Sequence, residues 1–162
     1  MQEQYWSYMV QTKFSVYYLD NYAENIYKKE RNINVFCAIA SSASIAAWAV
    51  WTEWAYVWGF IIAISQVLTS VKEYFPYARQ LKMLKHFVEE MKMIYINIEQ
   101  EWFRVAEGNL TENEINKLLF MYKKKVTELE SKYLSENILV ENLEYAKKAD
   151  KQCTEYFERN FK

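Results

Sequence analysis

The 162-residue chain carries 20 lysines and arginines against 21 aspartates and glutamates, a net charge of −1, so bulk charge points to neither nucleic acid nor a basic partner. Two glycines, one proline, one histidine and two cysteines leave no Gly-rich nucleotide loop, no zinc spacing and no disulfide framework. With so few helix breakers the expected class is all-α, and with no nucleophile motif the chain is not expected to be an enzyme.

From the N-terminus, Tyr5, Met9, Val16, Leu19, Ala23 and Ile26 recur at helical spacing, with Thr12 filling the gap. This predicts one long amphipathic helix, and residues 1–31 form the first region. Tyr8, Tyr17, Tyr18, Tyr22 and Tyr27 add phenols that could lie at a membrane surface, pack on other helices or stack on bases, in that order of preference.

Residues 32–72 form the second region, and Glu53 is the only acid within it. The 21 uncharged residues before Glu53 and the 18 after it are each long enough to cross a hydrocarbon core of roughly 30 Å. Trp48, Trp51, Trp54, Tyr56 and Trp58 cluster near the turn, as aromatic rings do at headgroup level. Lys28, Lys29 and Arg31 precede the runs, and Lys72, Arg79, Lys82 and Lys85 follow or close them. By the positive-inside rule this is a transmembrane helical hairpin in the cytoplasmic membrane, with both termini cytoplasmic. The alternative is a helical hairpin buried in a soluble bundle. Asn34, Cys37, Ser41 and Ser44 fall on one stripe of the first run, and Gln66 and Thr69 on one stripe of the second. These groups either hydrogen-bond between helices or line a pore.

Residues 73–162 form the third region. Beyond Pro76, Leu81, Leu84, Val88, Met91, Tyr95, Ile98, Trp102 and Val105 repeat at 3 and 4, a coiled-coil spacing. Gly108 and Asn109 should stop that helix, and Thr111 with Glu114 should start the next as a capping box. Ile115, Leu118, Leu119, Tyr122, Val126, Leu129 and Tyr133 give its apolar face, and the register shifts near Leu134 and Ser135. Arg79, Lys82 and His86 share a helix face beside Lys85, and Lys123, Lys124 and Lys125 form a second basic cluster. Both are either solvated faces or, multiplied around an oligomer axis, an anion site.

The layout of an aromatic-rich helix ending in YAENIYKKERNINVFCAIASS, two apolar runs, then FPYARQLKMLKHFVEEMKMIYINIEQEW and GNLTENEINKLLFMYKKKVTELE resembles the SLATT family. That resemblance implies a two-span effector of bacterial anti-phage defence. It implies a homo-oligomeric pore in the lipid bilayer, gated by a nucleotide signal from a partner nucleotidyltransferase. Effectors of the Hailong type within that group imply a tetramer and a DNA-oligomer ligand, and no other cofactor. The expected function is therefore a nucleotide-gated channel that depolarises the membrane on infection. A membrane adaptor that recruits a partner through its coiled-coil face, and a soluble helical regulator, are the rivals.

Overall fold

The computed structural model describes the backbone of residues 1–50, 55–72, 77–134 and 141–161, and their side chains except at 40–50, 55, 71–72 and 77–79. All regular structure among these residues is helical: α1 (Gln2–Val50), α2 (Ala55–Lys72), α3 (Tyr77–Ala106), α4 (Glu112–Leu134) and α5 (Leu143–Asn160). The helices divide into two compact units, one of Met1–Ala23 with Lys82–Lys162 and the other Glu24–Leu81.

The first unit is built from the amphipathic stripes. Tyr5, Met9, Val16 and Leu19 of α1 are buried, as are Leu84, Val88, Met91, Tyr95, Ile98 and Val105 of α3. The α3 stripe with coiled-coil spacing is thus consumed inside the unit, which leaves none of it to recruit a partner. Ile115, Leu119, Tyr122 and Leu129 of α4 and Ala149 and Cys153 of α5 complete the core. Each large side chain so buried contributes about 1.5–3 kcal/mol. Directional bonds then fix the register: the Tyr5 hydroxyl donates to the Ile98 carbonyl at 3.1 Å, and Gln2 Nε2 to the Val105 carbonyl at 2.8 Å.

Local chemistry sets the helix ends. Gly108 has φ +74°, the left-handed conformation that closes a helix after Ala106, and glycine adopts it without steric cost. The Thr111 backbone N–H donates to Glu114 Oε2 at 2.8 Å, and Glu114 N–H donates back to Thr111 Oγ1 at 3.4 Å. That reciprocal box starts α4. Asn142 Oδ1 accepts from the N–H groups of Glu144 and Tyr145, which starts α5. The residues between Leu134 and Asn142 where the register was expected to shift lie mostly outside the described residues.

The second unit does not support the transmembrane hairpin. Among the described residues no helix is long and apolar enough to cross a membrane. Helix α2 has 18 residues. It therefore spans about 27 Å, at the short end of what a core of roughly 30 Å requires. Ser65, Gln66, Thr69 and Ser70 further dilute its C-terminal half, and Lys72 ends it. The first apolar run is not a separate helix but the continuation of α1, which carries Lys28, Lys29, Glu30 and Arg31 just upstream. The hairpin fold, the inner-membrane location with both termini cytoplasmic, and the channel and membrane-adaptor functions that required spanning helices are corrected accordingly. Trp51, Glu53 and Trp54, on which the turn was placed, and Pro76 lie outside the described residues, as does the side chain of Trp48.

Candidate functional site

Helix α2 turns its apolar residues outward. Val57, Phe60, Ile64 and Val67 are spaced 3, 4 and 3, which places them on one helix face, and all four are exposed, Phe60 by 68%. Tyr56 beside them is 94% exposed. On the adjoining stripe, Gly59, Ala63, Gln66 and Ser70 are also exposed. A Cβ added at Gly59 would meet nothing within 4 Å, so that side of α2 is open to close approach. In the same unit α1 exposes Val35, Phe36 and Ile39. Contiguous apolar residues of this kind mark a surface that is covered in use.

The serine and threonine hydroxyls of α2 need nothing from outside. Ser65 Oγ donates to the Ile62 carbonyl at 2.9 Å, Thr69 Oγ1 to the Ser65 carbonyl at 2.8 Å, and Ser70 Oγ to the Gln66 carbonyl at 2.9 Å. Burying this face therefore strands no serine or threonine hydroxyl, and Gln66 is the one side-chain amide on it. Of the residues expected to line a pore, Gln66 and Thr69 are exposed on α2, and Cys37 is half-buried on α1. Asn34 is half-buried with its Oδ1 enclosed and without a hydrogen-bond partner. The side chains of Ser41 and Ser44 lie outside the described residues.

The basic residues belong to α3 and α4. Lys82, Lys85 and His86 are exposed on α3, with His86 Nδ1 3.7 Å from Glu89; the side chain of Arg79 lies outside the described residues. On α4 three successive lysines point in three directions. Lys123 Nζ lies 5.7 Å from the Tyr8 ring centre, Lys124 is 3.8 Å from Glu128, and Lys125 lies 5.5 Å from the Tyr122 ring centre. Lys123 also edges an open groove of about 650 Å³ with Trp6, Ser7, Tyr8, Gln11 and Leu119. Burial pushes the Tyr8 phenol above its ordinary range.

The first unit also holds a closed polar box that the sequence reading missed. Lys13 Nζ lies 3.6 Å from the ring centre of Tyr156, 4.2 Å from that of Tyr95 and 5.1 Å from that of Tyr17. Desolvation holds its ammonium below the usual lysine range, and the rings return part of that cost as cation–π attraction. Tyr156 donates its hydroxyl to Glu99 at 2.5 Å, and its phenol is pushed up to about 12, first by burial and then by the Glu99 bond. Burial likewise raises the Cys153 thiol, whose Sγ lies 3.7 Å from the Val10 carbonyl. A desolvated ammonium and a thiol kept protonated are packing elements here. The tyrosine spacing Tyr95, Tyr156 and Tyr17, spread over three helices, offers no local pattern that could have announced the box.

The chain matches no protein-family model, no curated protein and no solved structure. The resemblance to the SLATT family is corrected on that finding, and with it the anti-phage channel role. It rested on the order of aromatic, apolar and charged segments, an order that an all-helical chain with an exposed apolar face also produces.

Proposed function

We propose that this protein is a non-catalytic helical assembly module whose α2 face is covered by a second copy of the same chain. The observation that carries the reading is the exposed 3-4-3 stripe of Val57, Phe60, Ile64 and Val67. A second copy is favoured over an unlike partner by self-complementarity. The stretch from Ala55 to Val71 carries no charge to select an unlike surface, and its apolar stripe and its small residues at Gly59 and Ala63 run side by side as ridge and groove. The Gln66 amide both donates and accepts, so it satisfies its own symmetry mate across a two-fold axis.

Sedimentation velocity over a range of concentrations tests this. The wild-type chain is expected to sediment as a dimer or larger. Phe60→Lys, by removing an apolar anchor from both sides of a two-fold contact, is expected to weaken association about 100-fold or more while circular dichroism stays unchanged. A wild-type monomer at high concentration, or a Phe60→Lys chain that associates like wild type, overturns the proposal.

A further inference from the structure

In the first unit α4 and α5 both pack on α1 and α3, but by different means. Helix α4 buries Ile115, Leu119, Tyr122 and Leu129. Among its described residues α5 buries only Ala149 and Cys153, two small side chains. Most of what holds α5 is polar or aromatic. Asn21 of α1, 6% exposed, donates its amide to Gln152 Oε1 at 2.8 Å, and the Asn142 N–H donates to the Tyr18 hydroxyl at 3.0 Å. Tyr156 donates its hydroxyl to Glu99 of α3 at 2.5 Å, and Phe157 and Phe161 set their rings against Trp6 of α1 at 5.2 and 5.3 Å. Closing α5 also dries groups that water would serve better. Lys13 Nζ faces the rings of Tyr95 and Tyr156, while the Glu99 carboxylate that attracts it is already bonded to Tyr156. The Tyr95 hydroxyl is enclosed without a hydrogen-bond partner. Both regain water when α5 lifts, which offsets part of the cost of opening. A seam that is polar and costly to dry has the character of an interface made and broken, not of a permanent core.

We infer that the trough between α1 and α3 is a binding site for an amphipathic helix and that α5 is its autoinhibitory occupant. The chemistry a competitor must carry is that of α5 itself. Ala149, Cys153, Tyr156 and Phe157 fall at i, i+4, i+7 and i+8, which is one helix face. The two small residues let the helix come close to α1, where Cys153 Sγ lies 3.7 Å from the Val10 carbonyl. The tyrosine reaches between two charges, its ring against the Lys13 ammonium and its hydroxyl on the Glu99 carboxylate. The phenylalanine meets Trp6. A partner helix with a small residue, a second small residue four positions on, and Tyr-Phe after three more therefore fits the same place. It gains one charge-assisted hydrogen bond, one cation–π contact and one aromatic edge. Because α5 is tethered beside the trough, it excludes such a helix until it lifts, and the partner's apparent affinity scales with the fraction of chains that are open. Opening of this kind falls to the segment with the fewest buried apolar contacts, which here is α5. The site lies within the first unit and does not rest on the α2 surface.

The experiment is fluorescence anisotropy of a labelled peptide of residues 141–161 titrated with the full chain under reducing conditions. Tyr156→Phe in the chain keeps the ring and removes the bond to Glu99, so it loosens the strap and should raise the apparent affinity for the wild-type peptide about tenfold. The same substitution placed in the peptide should lower the affinity about tenfold. Asn142→Ala in the chain, which removes the cap of α5 at its other end, should raise the affinity for the wild-type peptide about fivefold. Hydrogen exchange of the wild-type chain should show the α5 amides opening before those of α3. The inference is overturned if the peptide binds neither variant chain, if it binds the wild-type and both variant chains equally, or if the Tyr156→Phe peptide binds as tightly as the wild-type one. Exchange of the α5 amides only together with those of α3 overturns it as well. Circular dichroism checks that each variant is folded, and the two substitutions lie near opposite ends of α5, so the loss of one leaves the other to decide.

Discussion

The two units use the same apolar spacing in opposite ways. In the first, the stripes of α1, α3, α4 and α5 face one another and disappear from solvent: Tyr5, Met9, Ile98 and Val105 are fully buried. In the second, α2 keeps Val57, Phe60, Ile64 and Val67 outside. A stripe with helical period reports that a face will be covered, not what covers it. The first unit covers its own stripes and is expected to carry most of the folding stability, whereas the second leaves its stripe exposed.

One matched pair of substitutions breaks that contrast if it is wrong. Phe87 in the first unit is 1% exposed and lies 6.0 Å from the Tyr133 ring centre, while Phe60 in the second is open to solvent. Phe87→Ala should lower the unfolding free energy by about 3–5 kcal/mol, and Phe60→Ala, measured in dilute protein, by less than about 0.5 kcal/mol. Chemical denaturation of both variants checks this. A loss at Phe60 as large as that at Phe87 would mean that α2 buries this face within its own chain.

What the sequence disclosed follows the same line. Local signals were readable because neighbouring residues carry them: the Gly108 stop, the Thr111–Glu114 box and the α3 stripe from Leu84 to Val105 all stand where spacing placed them. The apolar run from Asn32 to Val71 was misread because length and lack of charge do not separate a spanning helix from one with an exposed apolar face. Lys123, Lys124 and Lys125 read as a cluster in one dimension, yet one turn of α4 sends them to Tyr8, Glu128 and Tyr122.

Capping gives a smaller effect that sharpens the contrast. In the first unit, Asn142 Oδ1 satisfies two N–H groups at the start of α5, and its own N–H donates to the Tyr18 hydroxyl of α1 at 3.0 Å. Asn142→Ala should cost about 1 kcal/mol. In the second unit, Thr69 spends its hydroxyl on its own helix, so Thr69→Ala should fall within about 0.5 kcal/mol of wild type. Thermal unfolding of the two variants at one protein concentration distinguishes them, and equal losses would contradict the assignment of Asn142 as the cap.

The smallest effect concerns the clamp between α3 and α4. Glu90 accepts from the Tyr133 hydroxyl at 2.6 Å and from Lys132 Nζ at 3.0 Å, and these two bonds, Tyr133 first, hold its carboxyl below the ordinary value of 4.5. A carboxyl whose pKa is depressed by folding contributes stability that is complete above the unfolded value and is lost as the pH falls through the folded value. For Glu90 that loss begins below about 4.5 and is spread toward more acid pH. Tyr133→Phe removes the larger of the two causes and leaves Lys132, so the stability lost between neutral and acid pH should shrink: the plateau near neutrality falls while the most acid values stay close to wild type. Because Glu90 is solvated, added salt should shrink its attraction to Lys132 but spare the neutral Tyr133 bond. Urea unfolding of wild type and Tyr133→Phe from pH 3 to 7, at low and high salt, therefore separates the two bonds. An equal drop from neutral to acid pH in the two chains would show that Tyr133 holds α4 to α3 through its ring contact with Phe87 alone.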